Sequence, residues 1–181
     1  MVELLVVLFL ILLNAFFALS EMSVVTSRKA RLKQRAEDSR GARKALELAE
    51  HPERFLSTVQ VGITTIGILT GMFGGDAIGA AIGVWLAEHI PAVGKYAGTI
   101  GTVLAVGLIT YLSIVLGELL PKRLALLAPE RLAGIVALPM HTLSRIASPA
   151  VWLLSATVRG LLRLLRVNRS DSSQVTEEEI H

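Results

Sequence analysis

Three stretches of the chain carry no charged residue: 4–20, 55–75 and 96–117, of 17, 21 and 22 residues. A helix needs about 20 apolar residues to cross the hydrocarbon core of a bilayer. Each stretch therefore predicts a membrane span, at about 4–26, 55–75 and 96–119. The remaining apolar positions follow a different rhythm. Between 28 and 50, Ala36, Ala42, Ala45, Leu46 and Ala49 recur among charges, which predicts one cytoplasmic amphipathic helix. Residues 132–144 and 146–158 are two uncharged runs of 13, separated by Arg145 and broken by Pro139 and Pro149. Thirteen helical residues cover about 20 Å, too short to cross. Arg159, Arg163 and Arg166 then recur among leucines, the pattern of helices that lie in the interface. Region 130–166 accordingly predicts in-plane juxtamembrane helices. The expected fold class is an all-α integral membrane protein: a membrane domain over 1–166 and a linker over 167–181.

Composition agrees. Hydrophobic residues make up 52 % and charged residues 18 %, with a mean hydropathy of +0.60, whereas soluble domains carry about 25 % charge. A secreted enzyme, a nucleic-acid binder and a disordered chain are all poor readings. Without cysteine there is no disulfide, thiolate zinc site or cysteine nucleophile. No nucleophile–base pair or nucleotide loop is apparent, so no enzyme is expected. The first apolar run does not resemble a cleaved signal: Glu3 precedes it, the basic cluster follows it, and no Ala-x-Ala closes it. Lysine and arginine number nine between the first two runs, one between the second and third, and eight after the third. The positive-inside rule then places the N-terminus outside and the C-terminus in the cytoplasm of the cell's inner (plasma) membrane. The net charge of +3 fits contact with membrane lipid.

Glycine recurs at every fourth position as Gly67, Gly71, Gly75, Gly79 and Gly83. Such spacing lets helices approach closely, which serves packing or a homodimer, and a leucine at Gly71 should loosen either. The Gly74-Gly75-Asp76 cluster is expected to break the helix at the outer surface. Two carboxylates sit where they are costly, by about 2.5–3.5 kcal/mol on insertion scales. Glu21 reads equally as a helix end at the interface and as an ion ligand. Glu118 has more context, since Pro121 lacks the N–H that would bond the carbonyl of Gly117. A free carbonyl beside a carboxylate in a broken span is a recurrent cation-binding device. Ser20 and Ser23 share a face of the first span and offer hydroxyls; Thr64 and Thr65 could add more. These hard oxygens suit Mg²⁺ or Na⁺.

At these residues the chain resembles a known family. Phe16-Phe-Ala-Leu-Ser-Glu-Met-Ser, Gly117-Glu-Leu-Leu-Pro-Lys and Val175-Thr-Glu-Glu-Glu-Ile are similar to the CorC/CNNM magnesium transport proteins, bacterial members of which are often labelled hemolysin-like. The likeness covers nearly the whole chain, as the transmembrane domain of unknown function 21 (DUF21), truncated before a pair of nucleotide-binding CBS domains. It implies a homodimer of three-span subunits that exports Mg²⁺, coupled to Na⁺ entry. It implies metal ligation by Ser20, Ser23, Gly117 and Glu118. Eukaryotic members have asparagine where Gly67 stands, so Thr64 or a backbone oxygen would serve there. A competing reading is a membrane-anchored Mg²⁺-sensing regulator or scaffold without transport. A pore-forming toxin fits poorly with a positive-inside bias and three long spans.

Overall fold

A computed structural model describes residues 2–164, and among them every regular element is helical. The linker at 167–181, with its Thr-Glu-Glu-Glu-Ile string, lies outside the described residues. The elements are α1 (Val2–Thr26), α2 (Lys29–Ala36), α3 (Arg40–Glu50), α4 (Pro52–His89), a 3-10 segment (Pro91–Tyr96) and α5 (Ala97–Ile114). A π-helical turn (Val115–Leu119) leads into α6 (Leu120–Leu127), α7 (Pro129–Ile146) and α8 (Ser148–Leu164). Three continuous helical stretches are long and apolar enough to cross a membrane: Val2–Thr26, Pro52–His89 and Gly94–Leu127. Large apolar side chains such as Phe9, Ile68 and Val103 point outward, each at least 60 % exposed, as a lipid-facing surface requires.

Small residues set the packing of the spans. Gly62 lies under the ring of Phe17, and Gly74 meets Val7 and Ile109, so α4 runs antiparallel to α1. Gly79 faces Thr102, and Gly101 sits between Gly79 and Gly83, so α5 returns along α4. The glycine row is thus divided. Gly79 and Gly83 bring α5 onto α4, while a Cβ at Gly67 or Gly71 would meet nothing within 4 Å. Within one copy, Gly71 has open space at its Cβ position, so any loosening by a leucine there would have to come from contact with another copy.

Two sequence expectations fail for identifiable reasons. The Gly74-Gly75-Asp76 cluster does not break its helix: α4 continues as one helix of 38 residues to His89. Both of those glycines are buried, and the close seating of α5 beyond them holds the helix straight where propensity alone would let it end. Helix α4 is about 57 Å long, so it extends beyond the bilayer core. The region 28–50 also forms two helices, not one. Asp38 and Ser39 interrupt it, and the Ser39 hydroxyl accepts the Ala42 N–H at 3.3 Å to cap α3. Pro139 bends the expectation less than its type suggests. It lies inside α7 with Ile135, whose carbonyl it cannot bond, on the same exposed face.

Helices α3 and α7 form a second layer against one end of the spans. Ala42, Ala45 and Ala49 of α3 are buried, as are Ala133, Ala137 and Met140 of α7, and Gly41 abuts the backbone of Gly134. This cluster is continuous with Phe17, Val24, Phe55 and Val59 of the spans. Glu130, in the first turn of α7, accepts the Arg28 N–H at 3.5 Å and so ties α7 to the end of α1. Its own backbone N–H, and then that of Arg28 with the Arg31 charge, hold its carboxyl below the usual range.

Candidate functional site

The third span changes its helical register where the sequence carries glycine, glutamate and proline. Across Val115–Leu119 the helix widens to a π turn, and the Leu120 N–H bonds the carbonyl of Val115. Pro121 follows with no N–H to donate. The wider turn and the missing donor together free carbonyl oxygens at one level, a common feature of functional π turns.

Asn14 of α1 fills the gap. Its Nδ2 donates to the carbonyl of Gly117 at 3.2 Å. A Cβ at 117 would stand 3.0 Å from that nitrogen, so a larger residue would displace the Asn14 amide by a few tenths of an ångström. The other atom of the amide, Oδ1, is buried without a hydrogen-bond partner. A buried oxygen left unpaired in a well-packed helix pair is costly, by about 1–3 kcal/mol. It therefore marks a place where a cation, or the proton of a water, would be held. Sequence reasoning passed over Asn14 because it searched the spans for charge. The available signal was a lone amide within the uncharged run 4–20.

One helical face below, two carboxylates share a lysine. Lys122 Nζ is 2.8 Å from Glu118 Oε1 and 3.4 Å from Glu21 Oε2. Asn14 and Glu21 are seven residues apart, two turns of α1, and so lie on the same side of it. That side faces Gly117 and Lys122, with α1 and the third span running in the same direction. The side chains of Glu21, Glu118 and Lys122 are 29 %, 42 % and 31 % exposed, so the cluster sits at an open end of the helix pair. The structure therefore brings Gly117, Glu118 and Glu21 together, adding Asn14 and Lys122.

The serines are placed differently. Ser20 and Ser23 are fully buried, round α1 from the Asn14–Glu21 side. Their hydroxyls donate to the carbonyls of Phe16 at 2.7 Å and Ser20 at 3.2 Å. Each donation uses the hydrogen and leaves oxygen lone pairs unused. Thr64 and Gly67 lie on the exposed face of α4, apart from this group; Thr64 accepts only the Gln60 amide, at 3.4 Å. Pro121 is buried at the start of α6. Among the described residues no three His, Asp or Glu side chains gather as a metal cluster. Any cation held here would rest on amide and carbonyl oxygens with one or two carboxylates.

Comparison with known proteins identifies the family. The chain is 45 % identical over 179 residues to the UPF0053 protein sll0260 of Synechocystis, covering 98 % of this chain and 40 % of that protein. It is 31 % identical to the UPF0053 protein YhdP of Bacillus subtilis, over 98 % of this chain and 40 % of that protein. It is 29 % identical to the polyamine export protein of Salmonella typhimurium, over 95 % of this chain and 38 % of that protein. The chain thus spans about two fifths of the length of these relatives. The profile of the cyclin M transmembrane N-terminal domain matches residues 5–181, and the chain, with its three membrane-length helices, belongs to that family of membrane domains.

Proposed function

We propose that the chain is the membrane part of a cation transporter whose substrate is Mg²⁺, exported in exchange for Na⁺ entering, with no catalytic activity of its own. The observation that carries this reading is the Asn14–Gly117 junction. There a π turn and a proline stand beside an unpaired buried amide oxygen, with Glu118 the next residue in the chain after Gly117. Mg²⁺ takes six oxygens and keeps several waters. The Gly117 carbonyl, Glu118 and Asn14 Oδ1 would supply part of that shell; Ser20 and Ser23, whose spare lone pairs lie round α1 from these groups, would join it only if α1 turned. Thr64 and Gly67 would contribute only from a second copy of the chain, because their face is open in this one.

A second reading has its own support. Lys122 shows that the Glu21–Glu118 pair accepts a primary ammonium group, and one relative is named a polyamine export protein. A transported polyamine would dock its ammonium as Lys122 does. Thermal melting of the purified protein against Mg²⁺ and against spermidine separates the two. The metal reading expects stabilisation by millimolar Mg²⁺ that spermidine does not reproduce; the reverse order favours the polyamine. A regulator without transport would bind Mg²⁺ equally but show no flux in liposomes.

The same proposal places the protein in the plasma membrane with the N-terminus outside, on the nine, one and eight partition of basic residues. Cysteine introduced at Asn168 should resist an impermeant label applied to intact cells, and labelling from outside would reverse the orientation. A homodimer is also proposed, through the open Gly67–Gly71 face of α4. Its check is the molar mass in mild detergents, where a protomer mass at all concentrations would rule it out.

A further inference from the structure

We infer that Lys122 is a tethered competitor for the cation site, and that Glu21 is the carboxylate on which it parks when the cation binds. The inference rests on the site proposed above and concerns how that site is tuned. Lys122 Nζ occupies the Glu118 carboxylate at 2.8 Å, one helical turn away on the same helix. An ammonium and a divalent cation on one carboxylate repel each other, even in the partly exposed setting of this cluster. The cation can take Glu118 only after Nζ has left it. Glu21 is already 3.4 Å from Nζ, from the opposite helix and without any bond to Gly117 or Asn14. A small swing of a flexible four-carbon stem moves the ammonium fully to Glu21. The two carboxylates thus hold different posts: Glu118 exchanges lysine for metal, and Glu21 receives the displaced lysine.

The arrangement explains why a site with so little negative charge carries a lysine at all. A bound cation leaves when Lys122 returns, so affinity stays low enough for release. It also predicts effects of opposite sign from two residues in one ion-pair network. Lys122→Met should raise Mg²⁺ affinity by about fivefold or more, within the range of coupled sites. Glu21→Gln should lower it by a similar factor although Glu21 is not a ligand. The decisive quantity is the double-mutant cycle. With Lys122→Met already present, no ammonium needs a parking place, so Glu21→Gln should change affinity by less than about twofold.

The experiment is titration of the full-length protein with Mg²⁺, read by tryptophan fluorescence or thermal shift, for wild type, both single variants and the double variant. Lys122→Gln serves as the second replacement if the methionine variant does not fold. Glu118→Gln runs alongside. Opposite signs for the single variants, with the Glu21 effect lost in the double, support the inference. Equal Glu21 effects in both backgrounds would make the network plain additive electrostatics and overturn it. So would a Lys122 variant whose affinity is unchanged or weaker. If Glu118→Gln leaves Mg²⁺ binding intact, the site reading itself fails, a result distinct from failure of the lysine exchange.

Discussion

Glu118→Gln should abolish Mg²⁺-dependent protection of the protein from heat or protease while leaving it folded. The amide keeps the shape of the side chain and removes the formal charge nearest the Gly117 carbonyl. Glu118 is partly exposed and its one close partner is Lys122, which retains Glu21 at 3.4 Å, so the fold has little to lose. The site has a great deal to lose, because its remaining oxygens are all neutral. The expected loss is about a hundredfold or more in affinity, ~2.8 kcal/mol. Ser20→Ala and Ser23→Ala should weaken protection by less. Their hydroxyls also hold backbone carbonyls of α1, so their effect is shared between site and helix. Pro121→Ala should weaken it without removing any ligand side chain, by restoring an N–H that competes for the freed carbonyls. A folded Glu118→Gln protein with unchanged Mg²⁺ affinity would reduce Glu118 to the end of a helix held by Lys122.

Gly101→Leu should disrupt the membrane bundle where Gly71→Leu does not. A Cβ at Gly101 would stand 2.5 Å from the Gly79 carbonyl oxygen and the Gly83 nitrogen, and 2.8 Å from the Gly83 Cα. All three atoms are backbone, so no side chain can rotate away, and α5 must lift off α4. Overpacking of this kind costs about 1–3 kcal/mol in ordinary cores, and a leucine against two helix backbones should reach the upper end or exceed it. Gly71 has open space around it. Leucine there should leave the melting temperature of a monomer near wild type. If the open face is instead a contact between copies, Gly71→Leu should lower the molar mass in detergent while each protomer stays folded. Equal melting temperatures for Gly101→Leu and wild type would show that α4 and α5 do not pack as described.

Much of this was legible in the chain because membrane insertion depends on local composition. The uncharged runs at 4–20, 55–75 and 96–117 fall within the three long helices, and Ala42, Ala45 and Ala49 do face inward. What depended on tertiary contact was misread. Gly74 and Gly75 have the propensity to end a helix, yet they lie in a tightly packed contact and the helix continues. Gly79 and Gly83 belong to a pattern that sequence cannot divide between packing within the chain and packing against another copy. At the site, Pro121 drew attention to the Gly117 carbonyl, since a missing N–H is a covalent fact, and the structure shows that carbonyl accepting the Asn14 amide. Its partner could not be read the same way. Asn14 lies 103 positions earlier, and nothing local says which oxygen its amide will meet. Lys122 was visible as the end of a motif, but its placement between carboxylates of two helices required their shared direction.

The most direct measurement is Mg²⁺ flux through the full-length protein in liposomes carrying a trapped Mg²⁺ indicator, for wild type and Glu118→Gln side by side, with and without a Na⁺ gradient. Saturable Mg²⁺ movement in wild type, accelerated by the Na⁺ gradient and absent from a folded Glu118→Gln variant, is the predicted result. Equal Mg²⁺ flux in the two proteins, or none in wild type that binds Mg²⁺, would contradict the assignment of this site to Mg²⁺ transport.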